Sequence, residues 1–311
     1  LTERRNTGSL KWDVTERELP MWVADMDFET APEIREAISE RAAHGIFGYN
    51  IVTEDWYDAY IGWWSRRHHI TFERDWLIFC TGVVPAISSA VRKLTTVGEN
   101  VLVQTPVYNI FFNSIRNNGR NILESPLAYD GREYHIDFAD LEKKLSDPQT
   151  TLMLLCNPHN PVGKIWNRET LEKIGELCAK HHVLVLSDEI HCDMTDPGYE
   201  YIPFASVSEI CRENSITCIA PTKTFSIPGI QTAAVMVPNP VIRHKLWRSR
   251  TALPFARRWL PLKRESLGWR NCVSIWRTTS SLCATLWSGS FPQSASCPRM
   301  RPICSGWTAG M

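Results

Sequence analysis

The 311-residue sequence carries no net charge, because 34 basic side chains balance 34 acidic ones. That excludes a nucleic-acid protein relying on a basic surface, and no polybasic tract offers a membrane anchor. The sequence also lacks any apolar run near the roughly 18 residues that a membrane-spanning helix requires; its longest runs are strand-sized. Leu1 to Arg5 do not open a signal peptide, so a soluble, cytoplasmic protein is expected. Ten cysteines are present, but with no CxxC pair and no Cys/His ligand spacing, which predicts reduced thiols and no metal. These absences leave a small-molecule enzyme as the best fit to composition, in a chain long enough for one large or two ordinary domains.

What is present is an alternation of strand and helix patterns between about residues 75 and 238. The candidate strands are 75–80, 100–105, 121–127, 151–157, 183–190, 216–222 and 232–238, most of them apolar throughout. Strands without in/out alternation are buried on both faces, and intervening segments such as 167–182 have the period of amphipathic helices. The pattern predicts an α/β fold with a mostly parallel seven-stranded sheet sandwiched by helices.

Ligands in such sheets bind beyond the carboxyl ends of the strands, which gives weight to four stretches. In CTGVVPAIS (80–88) a strand runs through Gly82 into a helix start. The free amides of Gly82, Val83 and Val84, with the Thr81 hydroxyl, make an anion site there. In CNPHNPVG (156–163) two Asn-Pro pairs predict an extended, rigid turn, and the Asn160 amide can donate to a phenolic oxygen. Asp188, at the end of an apolar strand in LSDEIHCD (186–193), needs a cationic partner or a shifted pKa if it is buried. Lys223, in IAPTKTFSIPG (219–229), can act as a nucleophilic amine toward an aldehyde when desolvated. Each stretch alone has a plainer reading: a strand-to-helix turn, a loop, a capping aspartate, a packed ring for His191 and a surface lysine. Together they supply the groups that pyridoxal 5′-phosphate needs: a phosphate cradle, a donor for its phenolic oxygen, an acid for its ring nitrogen and an amine for its aldehyde.

In NPHNPVG, SDEIH and TKTF the sequence resembles the fold-type I pyridoxal-phosphate enzymes of the aspartate aminotransferase superfamily. More narrowly it resembles the MalY/PatB type of cystathionine β-lyases. The stretches that carry this are TGSLKWD (7–13), MWVADMDF (21–28), FGYN (47–50), TPVYNIFF (105–112), SDEIHCD (187–193) and KTFSIPGIQ (223–231). The resemblance covers about residues 1–248 and implies a division into an N-terminal segment (1–40) that helps form the small domain and substrate entrance, and a large cofactor domain (41–248). It implies that Lys223 binds the cofactor covalently and is catalytic, that Asp188 partners the ring nitrogen, and that Asn160 contacts the phenolic oxygen. Tyr108 would stack on the ring and take part in catalysis. Thr81, Gly82, Val83 and Thr222 would be cofactor contacts, and Tyr49 would reach the phosphate of the neighbouring subunit in a homodimer. His191 stands where aminotransferases usually carry a tyrosine, and Gln231 where many carry a phosphate-binding arginine; both departures favour the lyase branch. The implied reaction releases a thiol, pyruvate and ammonia from an amino-acid thioether, with no nucleic-acid or membrane partner. An aminotransferase and a non-catalytic regulatory partner stay open as alternatives.

Residues 249–311 break from this pattern. From Thr251 onward there are 8 basic residues and 1 acidic one, with 5 of the 13 tryptophans and 4 of the 10 cysteines, and no sustained period. Basic tails are lysine-rich and poor in Trp and Cys. The composition instead reads as a frameshifted translation of a C-terminal domain. With permitted synonymous codons, reading from each third base turns ESLGWRNCV (265–273) into EPWLEELR. The same frame turns RTTSSLCATLWSGSFP (277–292) into DNFEFVRDFVERELP, and PRMRPICSGWTAGM (298–311) into QDATYLLWLDCRD. Two of these are acidic amphipathic helices and the third is strand-like. The gene is expected to encode all three peptides in one shifted frame, with the switch between about codons 247 and 260, and lyase activity of the chain as given is expected to be weak or absent. Nucleotide sequence across that region decides the point, and a different third-base frame would refute it.

Overall fold

Seven stretches pair into one sheet, and the apolar ones can bury both faces only between layers of helix. The computed structural model describes residues 2–247. In chain order these form α1 (Pro32–His44), α2 (Glu54–His68), β1 (Leu77–Cys80), α3 (Val83–Leu94), β2 (Asn100–Val103), α4 (Ile110–Arg116) and β3 (Asn121–Glu124). A two-stranded hairpin, β4 (Ala128–Tyr129) and β5 (Tyr134–His135), precedes α5 (Phe138–Leu145), β6 (Thr150–Cys156), α6 (Arg168–Lys180) and β7 (Leu184–Asp188). The order ends with α7 (Glu209–Glu213), β8 (Ser215–Ile219), β9 (Ala233–Met236) and α8 (Pro240–Trp247).

The large sheet runs β1-β9-β8-β7-β6-β2-β3, with β9 antiparallel to both neighbours and the other pairs parallel. This is the expected α/β architecture, with seven strands where seven were expected. Strand β6 shows why it buries two faces. Leu152, Leu154 and Cys156 pack with Val91, Phe111 and Ile115 from α3 and α4 on one side. Met153 and Leu155 pack with Leu171, Ile174 and Cys178 of α6 on the other. A third cluster sets Trp56, Tyr60 and Trp64 of α2 against Leu77, Ala234 and Met236.

Several strands stop short of their expected ends. The stretch 216–222 ends as a strand at Ile219, and 232–238 ends at Met236. Pro221 and Pro238 follow, and proline has no N–H to continue a ladder. The expected helix 167–182 forms as α6, started by Asn167, whose side chain accepts from the Thr170 amide at 2.9 Å. The six cysteines among the described residues are free and buried. Among the described residues no helix is long and apolar enough to cross a membrane. The reading of 249–311 falls outside the described residues.

Helix α6 approaches its neighbour so closely that Gly175 is required. A Cβ there would meet Cys211 Sγ far inside contact distance and Phe204 Cζ at 3.5 Å. Gly175→Ala is therefore expected to destabilise the protein by about 1–3 kcal/mol through overpacking, despite alanine's higher helix propensity. Urea unfolding measures this; a gain in stability would contradict the packing.

Candidate active site

The parallel register gathers the polar residues. Cys156 of β6 lies opposite Asp188 of β7, and Asp188 opposite Cys218 of β8. The loops that leave these strands therefore start side by side, carrying Asn160, His191 and Lys223. Strand β1 feeds α3 directly through Thr81 and Gly82.

Asp188 is buried at the end of its strand. Its Oδ1 accepts from the Ile190 amide at 3.2 Å, and among the described residues no cation forms an ion pair with it. Burial pushes its carboxyl up to about 7, against the pull of the Ile190 N–H and the charge of Lys223. Lys223 is half-buried in the turn after β8, and its Nζ donates to the Ala24 carbonyl at 3.4 Å. Desolvation lowers its pKa, and the Asp25 and Asp188 charges oppose that. His191 is pushed down to about 4, first by burial and then by the Lys223 charge, so its ring is neutral at pH 7. The Tyr108 phenol is pushed up by burial and by the charge of Asp188. Tyr108, Asp188, Lys223 and His191 thus act on one another in one electrostatic neighbourhood.

The helix start is also built for an anion. Gly82 caps α3 with no side-chain hydrogen bond, so the first-turn amides have no side-chain partner. A Cβ at Gly82 would meet Pro85 Cδ at 3.3 Å. Val83 and Thr222 are buried and Thr81 is half-buried. Tyr49 is fully exposed, so the single chain does not bring it into the cluster. The stretch around Asn160 departs from the extended turn expected for it. His159 N–H bonds the Lys164 carbonyl and Gly163 N–H bonds the His159 carbonyl, both at 2.8 Å, which closes the loop on itself. Its two Asn-Pro bonds are cis. Gln231 is exposed after a short turn.

Sequence reasoning missed three carboxylates. Glu189 is buried beside Asp188, where it accepts from Tyr201 Oη, from Ser187 Oγ at 2.7 Å and from Phe204 N at 3.0 Å; burial pushes its carboxyl up to about 7. Asp25 and Asp27 pair with Arg4, and Lys11 reaches Asp27 at 3.0 Å. This knits the N-terminal segment across the turn that holds Lys223: Met26 N donates to Ser226 Oγ at 2.9 Å and Thr30 Oγ1 to the Phe225 carbonyl at 2.8 Å. The visible signal was the density of charge in residues 3–29.

Comparison with known proteins places this geometry. A family model for aminotransferase class I and II matches residues 19–254. The chain belongs to that family. Within it, the chain is 45% identical over 279 residues to cystathionine beta-lyase PatB of Bacillus subtilis, covering 88% of this chain and 69% of the relative. It is 33% identical over 246 residues to protein MalY of Escherichia coli, covering 77% of this chain and 62% of that one. Among solved structures, cystalysin from Treponema denticola, which contains a pyridoxal 5′-phosphate cofactor, superposes with a TM-score of 0.78 at 36% identity, covering 92% of this chain and 73% of that one. The chain is thus a member of the PatB/MalY group of cystathionine β-lyases, and it spans about two thirds of the length of these relatives.

The Asp188 shift has a direct consequence for stability. Its folded pKa of about 7 lies above the ordinary 3.8. Without a cationic partner its ionisation is easier in the unfolded chain, so the stability present below about pH 4 falls as pH rises and the loss is complete at about 7. Glu189 has the same sign, whereas His159 and His191, each lowered to about 4, oppose it below about 6.5. The difference between Asp188→Asn and wild type isolates one group. For cofactor-free protein it should favour the variant increasingly from about pH 4 to 7, by about 2–4 kcal/mol in all, and then level off. Urea melts at each pH test this, and a pH-independent difference would contradict the assignment.

Proposed function

We propose that this chain is by descent a pyridoxal-phosphate-dependent carbon–sulfur β-lyase, of the type that cleaves cystathionine and related cysteine thioethers to a thiol, pyruvate and ammonia, with its activity impaired by the altered tail. The observation that carries the reading is the nearness of Asp188 and Lys223, whose charges act on each other without an ion pair. A buried carboxylate without a cationic contact ends β7, and a partly desolvated amine sits in the turn after the neighbouring strand β8. The cofactor fits this arrangement. A protonated ring nitrogen supplies the cation that Asp188 lacks, an aldehyde suits the Lys223 amine, and a phosphate suits the uncapped start of α3.

When bound, pyridoxal phosphate supplies an aldehyde for the substrate's amine and a ring that withdraws electrons from Cα. Every other task falls to the chain. Lys223, once free of the cofactor, takes the proton from Cα. Asp188 holds a proton at the ring nitrogen and so sustains the electron withdrawal that lets sulfur leave from Cβ. The Asn160 amide would donate to the phenolic oxygen, and Tyr108 would cover a ring face. The neutral His191 adds no charge beside Lys223. Thr81, Gly82, Val83 and Thr222 hold the phosphate. The full exposure of Tyr49 fits a homodimer in which it completes the neighbouring site.

Lys223→Ala is expected to abolish both the borohydride-reducible bond to pyridoxal phosphate and any pyruvate release from cystathionine. Asp188→Ala should keep some cofactor and lose turnover by on the order of 10²-fold. Pyruvate formed without added keto acid separates the lyase from an aminotransferase. Unchanged cofactor trapping by Lys223→Ala would refute the proposal.

A further inference from the structure

The SDEIHCD motif ends in a residue that the reaction scheme leaves without a task. The Asp193 side chain is 4% exposed, and three donors from distant parts of the chain converge on it. Trp63 Nε1 reaches its two oxygens at 3.0 and 3.2 Å. His68 Nε2 lies 3.0 Å from Oδ1. Thr224 Oγ1 donates to Oδ2 at 2.8 Å. Arg67 Nε stands 3.8 Å from Oδ1. Thr224 is the neighbour of Lys223, and Asp193 lies two residues beyond His191 and five beyond Asp188. One carboxylate therefore joins α2, the turn after β7 and the turn after β8.

The ligand atoms of His68, Cys192 and Asp193 lie within 4.8 Å of one another, a spacing compatible with a metal ion. The chemistry argues otherwise. The Asp193 oxygens are already engaged by Trp63, His68 and Thr224, and burial pushes the Cys192 thiol well above its usual range, which opposes the thiolate that metals require.

We propose that Asp193 is a positioning residue: through Thr224 it fixes where the Lys223 amine stands relative to Asp188. The inference rests on the lyase reading above. Its physical basis is direction. The ring of Phe225 packs 5.6 Å from that of Trp63, and such an apolar contact lets a turn slide. A charge-assisted hydrogen bond at 2.8 Å does not. Trp63, His68 and, at 3.8 Å, Arg67 all hold the carboxylate from α2, so it stays in place when one of them is lost and passes that order to the turn that carries Lys223.

Thr224→Val removes the hydroxyl and keeps the shape, and the bonds of Met26 to Ser226 and of Thr30 to Phe225 still hold the turn. The readout is the rate at which cofactor-free protein forms a borohydride-reducible bond between Lys223 and added pyridoxal phosphate, located by peptide mass spectrometry. Thr224→Val is expected to slow this about tenfold, within the ~100-fold that a misplacement of ~1 Å can cost. Thr224→Ser should restore it to within about twofold of wild type. Trp63→Phe, which removes a different donor from Asp193 and keeps a ring against Phe225, should lower Tm and leave trapping within about twofold. Equal rates in Thr224→Val and wild type, failure of serine to rescue, or an equal loss in Trp63→Phe would each overturn the positioning role. A wild-type chain that forms no bond at Lys223 would instead overturn the lyase reading.

Discussion

A carboxylate buried without a cation is an unstable arrangement in water-excluded protein, and the surroundings of Asp188 are organised around it. Burial of an unpaired charge costs several kcal/mol or shifts the pKa until the group is neutral, and the rise of Asp188 to about 7 is that response. Its neighbours follow the same rule. Glu189 is saturated by donors, His191 is held neutral, and Tyr108 keeps its proton. Among the described residues Lys223 is the one cation acting on Asp188, and it is itself drawn down by desolvation. The site stores an unmet demand for positive charge at one end and for a carbonyl carbon at the other. A ligand offering both meets each demand in a single binding event.

That demand exists because of the sheet. Parallel strands β6, β7 and β8 end in register, and their apolar bodies are covered by α3 and α4 on one face and by α6 on the other. The layers leave the strand ends as the place where polar side chains meet without disturbing the core. Asp188 is the last residue of its strand, so its backbone is held by the ladder while its carboxylate lies beyond it. Lys223 differs: its strand stops at Ile219, and its position depends on turn bonds and on neighbours outside the sheet.

This difference explains what was legible in the sequence. Six of the seven sheet strands were readable because apolar runs report burial on two faces, while β3 is a largely uncovered edge strand; the strand-end logic then singled out Asp188, Asn160 and Lys223 from local pattern. Local pattern failed where partners lie beyond adjacent residues. The Asn160 loop closes through a bridge between His159 and Lys164, which no dipeptide rule encodes. Asp193 takes its partners from positions 130, 125 and 31 residues away, so nothing in its immediate context marks it. Arg4 and Asp25, or Thr30 and Phe225, likewise meet only once the chain has folded. The family resemblance supplied roles for residues at the site, but it supplied none for these braces.

The turn bearing Lys223 is consequently held between two polar anchors in addition to the packing of Phe225 and Ile227. On one side the N-terminal segment bonds Ser226 and the Phe225 carbonyl, and Ala24 accepts from the lysine itself. On the other, Asp193 holds Thr224. In the proposed reaction this lysine first holds a cofactor and then, released from it, takes a proton from the substrate, and a lysine with both tasks cannot be locked into an apolar core, because its amine has to move between partners. Fixing the backbone on either side with directional hydrogen bonds, while leaving the side chain half-buried, satisfies both conditions. The backbone is ordered at small cost to the mobility of the amine. The same logic accounts for the placement of order in this molecule: strong packing lies beneath the strand ends, and hydrogen-bonded braces surround the group that has to move.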